Sequence, residues 1–339
     1  MGNERHDRWS RRQFLSAAAL AGTGAAFGLR SESVAAEPPP ETTRIRLPKS
    51  PAICIAPSYL AGALLRVEGF TEVEYVPMPG NLFTSSVASG QVDLALNFVG
   101  PLVMSIDEQA PVVILAGIHA GCFELFGSGQ VRAIRDLKGK TVAVPGLREP
   151  QHVFAASMVA YVGIDPRTEI NWVTHPFAES ARLLADGKID AFLGFPPEPQ
   201  ELRARKIGQL VVDSAIDRPW SQYFCCLAYA NREFVRRNPV ATKRALRAIL
   251  KATDLCAAEP ATAARALVTR GYTPEYGYAF DMLKKLPYNQ WRTQSHEDSI
   301  RFYALRLHEA GMIKSTPQKI IAQGTDWRFL NELKQELKS

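Results

Sequence analysis

The chain has 339 residues, 22% of them charged, with a formal net charge of +6. That length allows two domains of roughly 100–200 residues each. The positive excess is mild and spread without a basic block, which excludes nucleic acid as a partner, since that needs basic residues clustered on one face.

At the N-terminus, Ser10-Arg11-Arg12-Gln13-Phe14-Leu15 precedes an Ala- and Gly-rich apolar run from Ala17 to Leu29. Val34-Ala35-Ala36 then offers the small residues that a signal peptidase requires. This order reads as an export signal, to be set aside from the fold. The run is too short and glycine-rich to span a membrane, which takes roughly 20 apolar residues. The arginine pair before Phe-Leu resembles the twin-arginine signal, with Ser16 where a lysine is common. Residues 1–36 are therefore expected to be a signal peptide whose partner is the twin-arginine translocase and whose destination is the periplasm. No cysteine stands at the cleavage point, so no lipid anchor is expected. Pro38-Pro39-Pro40 follows as a linker.

From there short apolar strands alternate with helical patterns, which predicts an α/β architecture. Strands are expected at residues 44–47, 73–76, 92–96 and 112–118. Helical spacing of Tyr59, Leu60, Ala63, Leu64 and Val67 fills the first gap, and Asn81 is placed to cap a helix ending near Gly90. After Gly127-Ser128-Gly129 the pattern restarts, with strands at 141–144, 170–173, 189–193 and 210–212 and a helix over 153–161. From Asn238 onward the chain reads as mostly helical. Residues 37–127 and 223–339 are assigned to one lobe and 128–222 to a second.

A weak internal repeat supports two lobes. Ser89-Gly90-Gln91-Val92-Asp93-Leu94-Ala95-Leu96 returns as Asp186-Gly187-Lys188-Ile189-Asp190-Ala191-Phe192-Leu193. Both copies place Gly after a helix, where positive φ is wanted. Each strand then opens into a loop, Asn97 to Pro101 or Gly194 to Glu198. Ligands of open α/β sheets bind beyond the carboxyl ends of strands, so the two loops are expected to face each other across a cleft.

Cys54, Cys122, Cys225, Cys226 and Cys256 show no CxxC or Cys-His metal spacing. Neighbours in a strand point to opposite faces, so Cys225 and Cys226 are not expected to bond each other. Buried or pocket-lining thiols are the expectation. Neither GxSxG, HExxH, a P-loop nor a dinucleotide fingerprint is present.

The segment Asp136-Leu137-Lys138-Gly139-Lys140-Thr141-Val142-Ala143-Val144-Pro145 resembles the entry to the second lobe of type II periplasmic binding proteins. The two repeat segments are similar to that family's helix-to-strand turns. Ala56-Pro57 with Glu68-Gly69-Phe70 resembles the first helix of its nitrate/sulfonate/taurine and thiamine-pyrimidine branch. The resemblance implies a two-lobed Venus-flytrap fold with a helical C-terminal segment. It also implies a monomeric solute-binding subunit of an ABC importer that delivers a small organic solute (sulfonate, carboxylate or pyrimidine-like) to membrane permease subunits. A non-enzymatic role without cofactor or metal is expected. The alternative is a thiamine-pyrimidine-related enzyme on the same fold, whose cysteine cluster Cys225-Cys226 matches incompletely.

Placement after strands nominates the ligand contacts. In the first lobe these are Ser50, Asn81, Asn97, Phe98 and His119. In the second, the loop from Gly146 to His152 is favoured, with Arg148 able to fork onto an anionic group and Gln151 and His152 beside it. Phe177 and Phe195 suit a flat ligand body, Glu198 a ligand amine, and Tyr223 sits at the expected hinge.

Overall fold

The computed structural model describes residues 37–50, 52–78 and 83–337. The expected signal peptide, residues 1–36, and the expected cap and contact Asn81 lie outside the described residues. The first stretch of elements is β1 (Arg44–Lys49), α1 (Ala56–Val67), β2 (Glu72–Pro77), α2 (Phe83–Ala88), β3 (Leu94–Phe98), α3 (Val99–Asp107) and β4 (Val112–Ala120). The middle holds β5 (Glu124–Gly127), β6 (Thr141–Val144), α4 (Pro150–Tyr161), β7 (Asn171–Thr174), α5 (Phe177–Ala185), β8 (Ala191–Gly194), α6 (Glu198–Ala204) and β9 (Gln209–Asp213). After β10 (Phe224–Asn231) come α7 (Arg232–Arg237), α8 (Pro239–Ala258), α9 (Pro260–Thr269), α10 (Tyr276–Lys285), α11 (His296–Glu309), α12 (Pro317–Gly324) and α13 (Arg328–Glu336). Among the described residues no helix is long and apolar enough to cross a membrane.

The strands make a parallel pair β1-β2, a three-stranded sheet β3-β10-β4 and a five-stranded sheet β7-β6-β8-β5-β9. β4 and β10 are buried along their whole lengths. A strand covered on both faces reads as a continuous apolar run, which is how residues 112–118 read. The second crossing back into the three-stranded sheet is β10 itself, antiparallel to both β3 and β4.

Four local expectations are displaced, one of them the strand expected at 189–193, which runs from Ala191 to Gly194. The strand expected at 92–96 runs from Leu94 to Phe98. The loop expected from Asn97 to Pro101 is instead the end of β3 and the first turn of α3. Pro101 fits there because the first N–H groups of a helix have no partner within it. Glu124–Gly127, expected to precede the second lobe, is a strand of the five-stranded sheet, antiparallel to β8 and β9. Four residues are too few for periodicity to announce a strand.

The internal repeat is structural. Gly90 and Gly187 have φ of 74° and 67°, the left-handed conformation that lets each helix end. Each repeat aspartate sits just before its strand and ties down another strand, Asp93 the first half of β1 and Asp190 the start of β6. Asp93 Oδ2 accepts from the Arg46 backbone N–H at 2.8 Å and Oδ1 from the Arg46 guanidinium at 2.6 Å. Asp190 Oδ2 accepts from the Thr141 backbone N–H at 2.9 Å, with Lys140 Nζ at 3.8 Å. Asp93→Ala is expected to cost about 1.5–3 kcal/mol, the range for a charged hydrogen bond. Asp190→Ala is expected to cost less, because its cation is farther away and the carboxylate itself is more solvated. Urea midpoints of the two variants check the order.

Candidate functional site

Both repeat loops reach one small cavity. Phe98 ends β3 and Phe195 follows β8, and both line the space together with Phe123, Asn97, Cys54 and Cys122. Cys225, Cys226, Phe83 and Pro150 complete much of its wall, and no described lining residue is charged. Phe123 lies edge-on to Phe98 at 5.2 Å between centroids and to Phe195 at 6.0 Å, joining the aromatic residues of the two repeat loops. The halves approach closely here, since a Cβ on Gly100 would stand 2.5 Å from Val153 of α4. The cavity is about 40 Å³, far below the roughly 300–1,000 Å³ of ordinary ligand pockets.

Asn97 is oriented from two sides. Its Nδ2 donates to Thr84 Oγ1 at 3.1 Å, and its Oδ1 accepts from the Phe98 backbone N–H at 2.8 Å. Thr84 and Pro150 also edge a neighbouring open groove of about 350 Å³, which Arg148 and Glu149 line. Arg148 holds φ at 69° and pairs with Glu108 at the end of α3. Both members are more than half exposed, so the pair contributes little to stability. His152 accepts from the Arg148 backbone N–H at Nδ1, 3.1 Å, and lies edge-on to Trp172. Burial, then the Arg148 charge, pushes its pKa down to about 4.

The remaining predicted contacts are dispersed. Ser50 is buried, its backbone N–H donating to Tyr59 Oη at 3.0 Å, and it lines a different groove beside Tyr272. Gln151 is buried in the first turn of α4, its Oε1 without a hydrogen-bond partner among the described residues. Phe177 packs against Phe192 in the second, smaller core. Tyr223 stacks on Phe302 at 4.0 Å. Glu198 opens α6 and accepts from the Phe195 backbone N–H at 3.2 Å, and burial pushes its carboxyl up to about 8. His119 is fully buried, with burial pushing its pKa down to about 4. Of the predicted contacts, Asn97, Phe98 and Phe195 line the cavity.

Sequence reasoning left the thiols as buried or pocket-lining, and it missed how they assemble. All five cysteines are buried and free. Cys122 and Cys225 come from the two crossings between the halves, with sulfurs 3.4 Å apart. The Cys54 thiol is pushed up by its hydrogen bond to Cys122 and by burial. Burial pushes Cys225 up to about 11. These shifts favour the protonated thiols over free thiolates at neutral pH. No spacing could have found the group, because its members come from segments up to 171 positions apart along the chain.

Comparison with known proteins places this geometry. A family model described as NMT1/THI5 like matches residues 68–263. Among curated proteins, a 4-amino-5-hydroxymethyl-2-methylpyrimidine phosphate synthase of Saccharomyces cerevisiae is 28% identical over 194 residues, 53% of this chain and 56% of that protein. The corresponding synthase of Candida albicans is 25% identical over 225 residues, 60% of this chain and 65% of its own length. The chain thus spans little more than half the length of the first of these relatives. Among solved structures, the periplasmic nitrate-binding protein of Synechocystis PCC 6803 has a TM-score of 0.68 at 16% identity, covering 89% of this chain and 90% of that one. The alkanesulfonate-binding protein of Xanthomonas axonopodis has a TM-score of 0.67 at 15% identity, covering 85% and 99%. The fold is therefore that of periplasmic binding proteins, as the sequence resemblance implied. The expectation of a non-enzymatic protein is corrected, because the curated relatives are named as enzymes. The missing catalytic motifs misled there, since they exclude only the chemistries whose motifs are known.

Proposed function

The chain belongs to the NMT1/THI5-like family, and from that premise we propose that it captures a small, flat, uncharged heteroaromatic solute of the pyrimidine class. One lobe is built around β1 to β4 and β10, the other around β5 to β9, and the ligand lies between them. The observation that carries this reading is the cavity wall: four phenylalanines, a doubly oriented amide and no charged described side chain. Aromatic edges and faces suit a ring, and Asn97 supplies both a donor and an acceptor to ring nitrogens or an amino group. A bare nitrate or sulfonate buried against that wall would lack a countercharge, which is costly. The cavity is smaller than a pyrimidine, so the lobes must part to admit one, with the groove at Arg148 and Glu149 as entrance and seat for a polar substituent. In this reading residues 1–36 direct twin-arginine export to the periplasm, and the monomeric, loaded protein docks on the permease of an ABC importer. The curated relatives favour a second reading, synthesis of a pyrimidine phosphate at the same site.

Thermal-shift measurements on residues 37–339 against 4-amino-5-hydroxymethyl-2-methylpyrimidine, nitrate and an alkanesulfonate test the proposal. The pyrimidine at 100 times its Kd is expected to stabilise the protein by about 2.7 kcal/mol. Asn97→Ala is expected to weaken it about tenfold, the loss of roughly one hydrogen bond. A shift with nitrate or sulfonate and none with the pyrimidine would overturn the ligand class. Mass spectrometry of the same incubations distinguishes capture, which returns the compound unchanged, from turnover.

A further inference from the structure

We propose that Cys54, His119 and Cys122 form a binding site for a divalent, sulfur-preferring cation of the zinc class in the inner wall of the cleft. The two sulfurs and one imidazole nitrogen lie within 4.8 Å of one another, and all three residues are buried. A tetrahedral ion with bonds of about 2.3 Å to sulfur and about 2.0 Å to nitrogen holds its ligand atoms roughly 3.5–4 Å apart. Small side-chain rotations inward therefore close the site.

The imidazole is already arranged for this role. His119 Nδ1 lies 3.2 Å from the Ala120 carbonyl oxygen, which can only accept, so Nδ1 carries the proton and Nε2 the lone pair. Nε2 is buried without a hydrogen-bond partner among the described residues, and an orphaned buried acceptor is costly. A ring fixed through Nδ1–H on a backbone carbonyl, with Nε2 bare, is the form in which histidine ligates metals. Tyr288 supports both sides of the site. Its ring is edge-on to His119 at 5.2 Å, and its hydroxyl donates to the Cys54 carbonyl at 2.8 Å.

Charge selects the ion. On loading, each of the two thiols gives a proton to solvent and its sulfur bonds the cation. Two thiolates and a neutral imidazole around a divalent ion sum to zero, which a wall whose described side chains are all uncharged tolerates. A monovalent ion would leave one negative charge buried. Sulfur and nitrogen ligands disfavour magnesium and calcium, which take oxygen. Cys54 and Cys122 line the cavity whereas His119 does not, so the fourth position faces the cleft. Cys225 remains a thiol beside Cys122. The site rests on these atoms alone, and its failure would leave the ligand-capture reading intact.

The test is an anaerobic titration of the reduced, metal-stripped protein with Co²⁺, followed by Zn²⁺. The expected result is a sulfur-to-cobalt charge-transfer band that saturates at one ion per chain, is bleached by Zn²⁺ and survives in Cys225→Ser. Cys54→Ser and His119→Gln are expected to weaken cobalt binding by at least about tenfold. If Cys54→Ser does not fold, Cys122→Ser takes its place, and native mass spectrometry of the wild type counts the ion. Absence of the band in the wild type, or a band undiminished in folded Cys54→Ser or Cys122→Ser, would overturn the site.

Discussion

Phe98→Ala is expected to lower stability by about 3–5 kcal/mol and to remove pyrimidine binding. The ring is 4% exposed and lies at the junction of both halves. It meets Phe123 at 5.2 Å, Phe154 of α4 at 5.1 Å and Tyr303 of α11 at 5.2 Å. Truncation removes apolar contact from α4, α11 and the segment between β4 and β5 at once, and opens a void that close-packed neighbours fill only partly. The same ring walls the cavity, so the binding loss should exceed that of Asn97→Ala. Phe98→Leu separates the two effects, since it keeps most of the volume but no aromatic face. It is expected to recover most of the stability, read from urea midpoints, and little of the affinity, read by calorimetry. Full affinity in Phe98→Leu would remove the ring from the ligand site.

The second large effect is acid lability. His119 and His296 are buried and neutral, with pKa values pushed by burial from the ordinary 6.5 to about 4 and about 3. His296 Nδ1 accepts from the Gly117 backbone N–H at 2.6 Å and its Nε2 meets the Trp291 carbonyl at 2.8 Å, a pattern that needs the neutral ring. A histidine whose folded pKa is depressed contributes stability that is present above the unfolded value. That contribution is lost as pH falls from about 6.5 towards the folded values, because only the unfolded chain takes up the proton. Between pH 7 and pH 5 each ring is expected to cost about 2 kcal/mol. Half-buried His152 adds a smaller loss of the same sign. Glu198 acts oppositely, since its raised pKa contributes stability as pH falls through about 8, but it is partly exposed and its share is smaller. Urea midpoints from pH 8 to pH 5 should therefore fall on the acid side, and His296→Gln should flatten the slope by about one proton. A slope unchanged in that variant would show that the ring does not carry the effect.

How much of this was legible in sequence depended on the range of each interaction. Strand positions, the helix from Ala56, the helical C-terminal segment and the repeat were readable, because periodicity and turn glycines act over a few residues. Gly90 and Gly187 are the sharpest case: a helix end that must turn left-handed declares itself locally, and the structure places both at positive φ. The short β5 was not readable, since four residues carry no period, and the start of α3 was hidden by a proline that a first helical turn accepts.

The cleft divides the same way. Strand ends nominated Asn97, Phe98 and Phe195 from local position alone, and these three line the cavity. Arg148 had the chemistry for an anion, yet whether it meets a ligand or Glu108 is a property of two loops 40 residues apart. The convergence of Cys54, His119 and Cys122 was decided entirely by tertiary structure. By itself the sequence determined a two-part α/β chain with its repeat aspartates and turn glycines, because those signals are carried by neighbours along the chain. Which side chains share the buried wall was decided only when the crossings at Cys122 and Cys225 brought separate segments within a few ångströms.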